Sequence, residues 1–418
     1  MQTQVKPIHS SPARRCLAAR PPLFVALLLA CAASAAAQQS LTFAAAAERG
    51  QTIFEQSAVT GMVLVAVRGN DVMIKGYGET LPGSGHVPDS HSFLRLCSLS
   101  KVFTTDLLLK LASDGKVKLT DPLESYAPHG KLVPEGIDGN QITLLDLATH
   151  TAGLPREVSS YPAKTPHFTF PSYVIRWSWL PGQRLKTPPG TAALYSNIGF
   201  DLLGDALAKA SGESYAQLLH KRLLQPLDMW DTTLYPTPGQ CVRLMQPSKD
   251  QGVCTDTEAS GPSGGVYSTA ADMVKLLQYL LHVPGSPAQP AGALDVYLRP
   301  QQLKSIQGLS HAGDPTGIGL AWIQIGGPNT PSALMEKTGG GAGFTTYIAL
   351  SPSRQTGIFL AATWGKGDAK IDFFHEANNL LAALANIPPL PPKVHRSPPA
   401  RKHSKRLRRP GANVRSKS

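Results

Sequence analysis

The chain is short of charge, of cysteine and of long apolar runs. Only 16% of its 418 residues are charged. Acidic residues are absent from residues 1–37 and from 393–418, which carry four and ten Lys/Arg. The formal net charge of +12 therefore sits at the two ends, and between them stand 26 basic and 28 acidic residues, a net of −2. A near-neutral body argues against a basic groove, so no nucleic-acid partner is expected. No segment beyond the N-terminus is apolar enough to span a bilayer. The G-x-x-x-x-G-K-[ST] pattern of a phosphate-cradling loop is missing. The 12 histidines show no H-x-x-H-type spacing beside a carboxylate, so neither metal nor cofactor is expected.

The ends have their own logic. Arg14, Arg15 and Arg20 precede the apolar run Leu23 to Ala33, and Ala35-Ala36-Ala37 follows before Gln38. This is the order of a secretory signal peptide cleaved after Ala37. Leu28-Leu29-Ala30-Cys31 resembles a lipoprotein cleavage site, but Ala37 competes with it and lipidation through Cys31 ranks second. Cleavage leaves Cys97, Cys241 and Cys254 of the five cysteines. In an oxidising compartment a bridge between Cys241 and Cys254 is expected, two free thiols being the alternative. Cys97 reads as a small buried residue. Residues 393–418 have almost no large apolar side chains and read as a basic disordered tail, either solvated or adhering to anionic envelope polymers.

The body, 38–392, is 42% hydrophobic along with the rest and long enough for a well-buried core. A helix is expected over Leu41 to Ser57, then strands Met62–Val67 and Val72–Tyr77 around the turn Arg68-Gly69-Asn70-Asp71. An apolar helix follows Ser98 and stops at Ser113-Asp114-Gly115. Residues 116–265 read as helices broken by proline-rich loops, among them Leu144–Thr149, Asn197–Ser211 and Tyr215–Leu224. Strands return at Gly319–Ile325, Thr345–Leu350 and Thr356–Trp364, and a helix closes over Ile371–Ala385. Strands at both ends with helices between predict an α+β domain: one antiparallel sheet flanked by helices, with a helical insertion and a cleft between the two parts.

Three stretches carry chemistry. Ser98 and Lys101 stand three apart at the start of an apolar helix, on one face. A serine hydroxyl needs a base to become a nucleophile, and a partly desolvated lysine can be that base. The alternative is a helix cap and a solvated lysine. The spacing alone is weak, since Ser113-Asp114-Gly115-Lys116 repeats it in a helix-ending turn. Tyr195-Ser196-Asn197 places a phenol and an amide before another helix: a proton relay and a holder of Lys101, or a core tyrosine and an asparagine cap. Lys337-Thr338-Gly339, with Gly340 following, puts a carboxylate-binding pair beside glycines that admit a substrate backbone, or else a glycine-rich loop before an edge strand. His150 precedes a Gly-Leu-Pro turn and reads as structural.

Together, in this order, S-x-x-K, Y-x-N and K-T-G resemble the penicillin-recognising serine enzymes, the penicillin-binding proteins and serine β-lactamases. The middle element is similar to that of the class C β-lactamase branch. LATHTAGLP (147–155), SNIGFDLLGDALAKASG (196–212), PLDMWDTTLYP (226–236) and SGGVYSTAADM (263–273) extend the likeness over residues 41–386. GYGETLPGS (76–84), KVKLTDPLESYAP (116–128), QCVRLM (240–245) and EKTGGGAGFTTY (336–347) resemble the AmpH-type D-alanyl-D-alanine carboxypeptidase/endopeptidase group. The resemblance implies a β-lactamase/transpeptidase-like fold and a periplasmic hydrolase acting on peptidoglycan stem peptides and binding β-lactam antibiotics. It implies Ser98 as nucleophile, Lys101 and Tyr195 as proton carriers and Asn197 as orienter. Backbone N–H groups of Ser98 and Gly340 become the oxyanion hole, and Lys337, Thr338 and Gly339 the substrate-binding strand. A class C-like β-lactamase is the alternative within that chemistry, and a non-hydrolytic penicillin- or wall-binding protein the alternative outside it.

Overall fold

The apolar run from Met62 to Val67 is too hydrophobic for a strand with one wet face, and it sits in the middle of a sheet covered on both sides. The computed structural model describes residues 40–158, 171–327, 330 and 332–391. The expected leader, Cys31 and the basic tail lie outside the described residues. Seven strands make one antiparallel sheet: β1 Val59–Arg68, β2 Asp71–Gly78, β3 Pro315–Ile318, β4 Ile323–Ile325, β5 Leu334–Gly341, β6 Phe344–Ser351 and β7 Thr356–Trp364. Their order is β2-β1-β7-β6-β5-β4-β3. The two ends of the chain meet where β1 pairs with β7, Leu64 opposite Leu360.

Period-two alternation sends successive residues of each central strand into different cores. Val63, Val65, Val67, Phe359 and Ala361 join the core under the helical part. Met62, Leu64, Ala66, Leu360 and Ala362 join a second core. The helices α1 (Phe43–Gln56) and, at the C-terminal end, Phe373–Leu384 supply Ile53, Leu380 and Leu384 to that second core. Each such buried side chain contributes roughly 1.5–3 kcal/mol.

The expected strand Gly319–Ile325 is a strand only over Ile323–Ile325, which is β4. Its first part, Gly319–Trp322, is a tight turn between β3 and β4, in which the Gly319 N–H donates to Trp322 O at 2.8 Å and Ala321 takes φ +63°. Leu320, Ala321 and Trp322 are apolar because this turn is buried, and burial makes it look like a strand. The segment Tyr215–Leu224 is helical as expected, an α-helix over Tyr215–Leu219 that widens into a π-helix over His220–Leu224.

Between the two parts runs α2 (Ser100–Ser113). Its residues are buried around most of its circumference, from Ser100 to Leu109 without a break. The threonines along it are satisfied by neighbouring carbonyls. Thr104 donates to Pro262 O at 2.7 Å, and Thr105 to Leu320 O at 3.2 Å. They tie the helix to the 261–265 turn on one side and to the β3–β4 turn on the other.

Candidate active site

Ser98 lies on a short helical turn, Cys97–Leu99, that leads from the strand Phe93–Arg95 into α2. Cys97, just before it, has φ +52°, a conformation a side-chain-bearing residue adopts only when its surroundings impose it. They do. The Leu96 N–H donates to Val266 O at 2.9 Å, Thr346 Oγ1 donates to Leu96 O at 2.9 Å, and Ser100 Oγ donates to Cys97 O at 2.8 Å. The Cys97 thiol is buried and pushed up to about 12 by that burial, so it stays protonated.

Lys101 has no exposed surface. Its Nζ donates to Asn197 Oδ1 at 2.7 Å, to Ser263 O at 2.5 Å and to Ser98 Oγ at 3.4 Å. Burial lowers its pKa to about 7, against the raising pull of Asp201 and Glu157. A lysine at that value exchanges a proton near neutrality, which is what a general base needs. Asp201, buried one helical turn beyond Asn197, is raised to about 7 by its own burial.

Tyr195 and Asn197 arrive from the other side of the cleft. The Tyr195 N–H donates to Gln307 O at 3.1 Å, where Ala193–Leu194 pairs in parallel with Ile306–Gln307. The Tyr195 hydroxyl donates to Ser98 Oγ at 2.6 Å. Asn197 does not cap α3 (Asn197–Ser211): Ser196 does, accepting from the Gly199 N–H at 3.0 Å. That leaves the Asn197 amide for the site, its Oδ1 on Lys101 and its Nδ2 donating to Glu157 Oε1 at 2.6 Å. His150 is buried against Tyr195, ring centres 4.6 Å apart, and its Nδ1 accepts from the Ser196 N–H at 3.1 Å. Burial holds its pKa well below the usual histidine range, so it supports Tyr195 as a neutral ring.

The third stretch forms part of strand β5 rather than a loop. β4 pairs only with Leu334, Met335 and Glu336. Beyond Glu336, β5 keeps β6 on one side and, among the described residues, has no partner strand on the other. This free edge passes Ser98. Gly339 lies so close to the Ser98 turn that an added Cβ would stand 2.2 Å from Thr346 Oγ1 and 2.9 Å from Leu96 O, which requires glycine there. Ser98, Arg156, Tyr195, Thr338, Gly339 and Gly340 line a cavity of about 740 Å³, which Trp364, Phe373 and Phe374 line as well.

The structure thus brings Ser98, Lys101, Tyr195, Asn197, Thr338, Gly339 and Gly340 to one place. Lys337 differs. It is 2% exposed, donates to Thr338 O at 3.1 Å and stands 5.2 Å from the centre of the Tyr195 ring, so it faces the tyrosine and not the open cleft. Sequence reasoning passed over Arg156, Glu157 and Asp201, which nothing distinguishes from ordinary charged residues in a linear reading. The Ser263 carbonyl lay within the quoted stretch SGGVYSTAADM, which was the available signal. Cys241 and Cys254 are joined, with Cα atoms 5.8 Å apart, and close the segment 241–254, whose Lys249 and Asp250 line the cavity.

A serine approached by a buried lysine and a tyrosine, under a free strand edge, belongs to the acyl-transferring serine enzymes. The family model described as Beta-lactamase matches residues 43–381, and the chain belongs to that family, with its β-lactamase/transpeptidase-like fold. It is 41% identical over 342 residues to the D-alanyl-D-alanine-carboxypeptidase/endopeptidase AmpH of Escherichia coli (strain K12), covering 81% of this chain and 88% of that protein. The crystal structure of a β-lactamase/D-alanine carboxypeptidase from Yersinia pestis, complexed with citrate, superposes with a TM-score of 0.78 at 38% identity. It covers 82% of this chain and 99% of that one. A class C β-lactamase from Rhodobacter sphaeroides matches in fold alone, with a TM-score of 0.62 at 21% identity over 79% of this chain and 97% of that one.

Proposed function

We propose that the chain is a serine DD-peptidase that cleaves the bond after D-alanine in peptidoglycan stem peptides, as carboxypeptidase, endopeptidase or both, and that penicillins acylate it. The observation that carries this reading is Lys101: a lysine with no exposed surface, poised near neutrality and bonded to Ser98. The 41% identity to a protein named for that activity supports the substrate class.

In this reading Ser98 Oγ attacks the D-Ala carbonyl carbon as its proton passes to Lys101. The backbone N–H groups of Ser98 and Gly340 receive the oxyanion. Tyr195, 2.6 Å from Ser98 Oγ, delivers a proton to the leaving nitrogen as the C–N bond breaks. Asn197 keeps Lys101 in place. The substrate backbone lies along the free edge at Thr338 and Gly339, as an added strand would. Lys101 then passes the serine proton to Tyr195, water attacks the acyl carbon as it gives a proton to Lys101, and Lys101 hands that proton to the departing Ser98 oxygen as the acyl group is released. An acyl-enzyme on the same Ser98 oxygen forms when a β-lactam ring opens. The leader read in residues 1–37 supports a periplasmic location, and the basic tail supports peripheral attachment to the envelope.

The test uses the wild-type protein and its Ser98→Ala variant on a pentapeptide muropeptide and on a cross-linked dimer, with products followed by mass. Serine-dependent loss of terminal D-Ala or splitting of the dimer is the expected result. If both stay intact while a penicillin is rapidly hydrolysed, the protein is a β-lactamase. If penicillin binds and nothing is turned over, it is a binding protein.

A further inference from the structure

Three cations surround Tyr195, and only one is open to the cleft. Lys101 is enclosed and directs its N–H donors to Ser98, Asn197 and Ser263. Lys337 is enclosed too, with its ammonium on Thr338 O. Arg156 is different. Its side chain is 60% exposed, and its guanidinium carbon lies 4.8 Å from the centre of the Tyr195 ring. It shares the cavity wall with Ser98, Thr338 and Gly340. Its root is fixed, because its carbonyl accepts from the Asn197 N–H at 2.9 Å and the Ile198 N–H at 3.3 Å. Its head is only lightly held: Nε pairs with Glu157 Oε1 at 3.8 Å, and that oxygen already takes the Asn197 amide at 2.6 Å. A rooted arginine with an open guanidinium fork in a cleft matches a carboxylate in shape and charge.

We infer that Arg156 is the carboxylate-recognition residue of this cleft, pairing with the carboxylate borne on the carbon next to the leaving nitrogen while Thr338 stands on the opposite side. This rests on the DD-peptidase reading for its natural substrate. The Tyr195 hydroxyl marks the side on which the leaving nitrogen departs. A carboxylate one carbon beyond that nitrogen falls over the tyrosine ring, where Arg156 stands. In a stem peptide ending in D-alanine the leaving amine has such a carboxylate. So has a leaving amine supplied by the amino-acid end of a diamino diacid in a cross-link. In a penicillin the ring carbon next to the lactam nitrogen carries one as well. One guanidinium therefore serves hydrolysis of both peptide bonds and acylation by the antibiotic.

The experiment compares wild type, Arg156→Gln, Arg156→Lys and Lys249→Gln on two matched pairs of probes. The first pair is a D-Ala-D-Ala peptide and its C-terminal amide, read as kcat/KM. The second is benzylpenicillin and its methyl ester, read as the rate of Ser98 acylation. Arg156→Gln is expected to lower the rate for the free acid of each pair by about 10- to 100-fold and to leave the amide and ester within a factor of about three. Arg156→Lys is expected to recover part of the loss, having the charge without the fork. Equal losses on acid and neutral probes would reduce Arg156 to a structural support and overturn the inference, as would a change of ratio in Lys249→Gln alone. If the wild type cleaves neither peptide, the DD-peptidase reading falls, and the penicillin pair still decides the role of Arg156.

Discussion

The two ends of α2 carry the same four-residue spacing and opposite chemistry. At the N-terminal end Ser98 sits on the turn that leads into the helix and Lys101 in its first residues, sealed from water. At the C-terminal end Ser113 and Lys116 are exposed. There the Lys116 N–H donates to Leu111 O at 2.9 Å and Gly115 takes φ +70°, the ordinary closure of a helix. Spacing sets which side chains share a face. Burial, the positive end of the helix and the amide and carbonyl around the ammonium decide whether a lysine is a base or a solvated charge.

That contrast can be broken at its strongest point by paired serine substitutions. Ser98→Ala is expected to abolish labelling by a fluorescent penicillin, a loss on the order of 10⁴-fold or more, and Ser113→Ala to leave labelling intact. Loss of labelling in the Ser113 variant would reverse the assignment of the two copies. Next in size is the lysine pair. Lys101→Met should slow acylation by about 10²–10⁴-fold, measured by stopped-flow, with Lys116→Met at the wild-type rate.

A third expectation follows from sign. Burial lowers the Lys101 pKa to about 7, whereas a solvated lysine stays charged until about 10.4. The free amine that accepts the serine proton is therefore scarce below pH 7 and abundant above it. Acylation should rise with pH through a midpoint near 7, and Lys101→Met should lose that limb. A midpoint above pH 9 would mean that burial does not set the titration of Lys101. The smallest effect belongs to the far end: Gly115→Ala, forcing a Cβ into a left-handed position, should cost about 1 kcal/mol of stability in urea unfolding without changing the labelling rate.

Much of this arrangement was legible in the sequence, for identifiable reasons. β1 and β7 announce themselves as continuous apolar runs because both faces are covered, and the helix after Ser98 does so by its leucines. The catalytic candidates were legible as three short motifs in order, although each alone had a plain structural explanation. What stayed hidden depends on orientation. Lys337 read as a ligand for carboxylates, and a linear pattern does not show that its ammonium stands 5.2 Å from the centre of the Tyr195 ring. Arg156 was passed over, because nothing in a linear pattern tells which charged residue the fold leaves in the cavity of the nucleophile. The turn at Gly319 to Trp322 read as a strand because buried turns and buried strands use the same residues.

The enclosure of α2 also has a consequence for how such a protein can diversify. A helix packed on nearly every side tolerates little change in side-chain volume, so the mount for nucleophile and base is close to fixed. The cleft's rim is built from other material: the turn bearing Arg156, the disulfide-closed loop bearing Lys249 and Asp250, and the approach to Phe373 and Phe374. Loops of this kind accept insertions and substitutions that a packed core refuses. New substrate preferences in this lineage are therefore expected to be written around the rim, while the reaction itself stays constant.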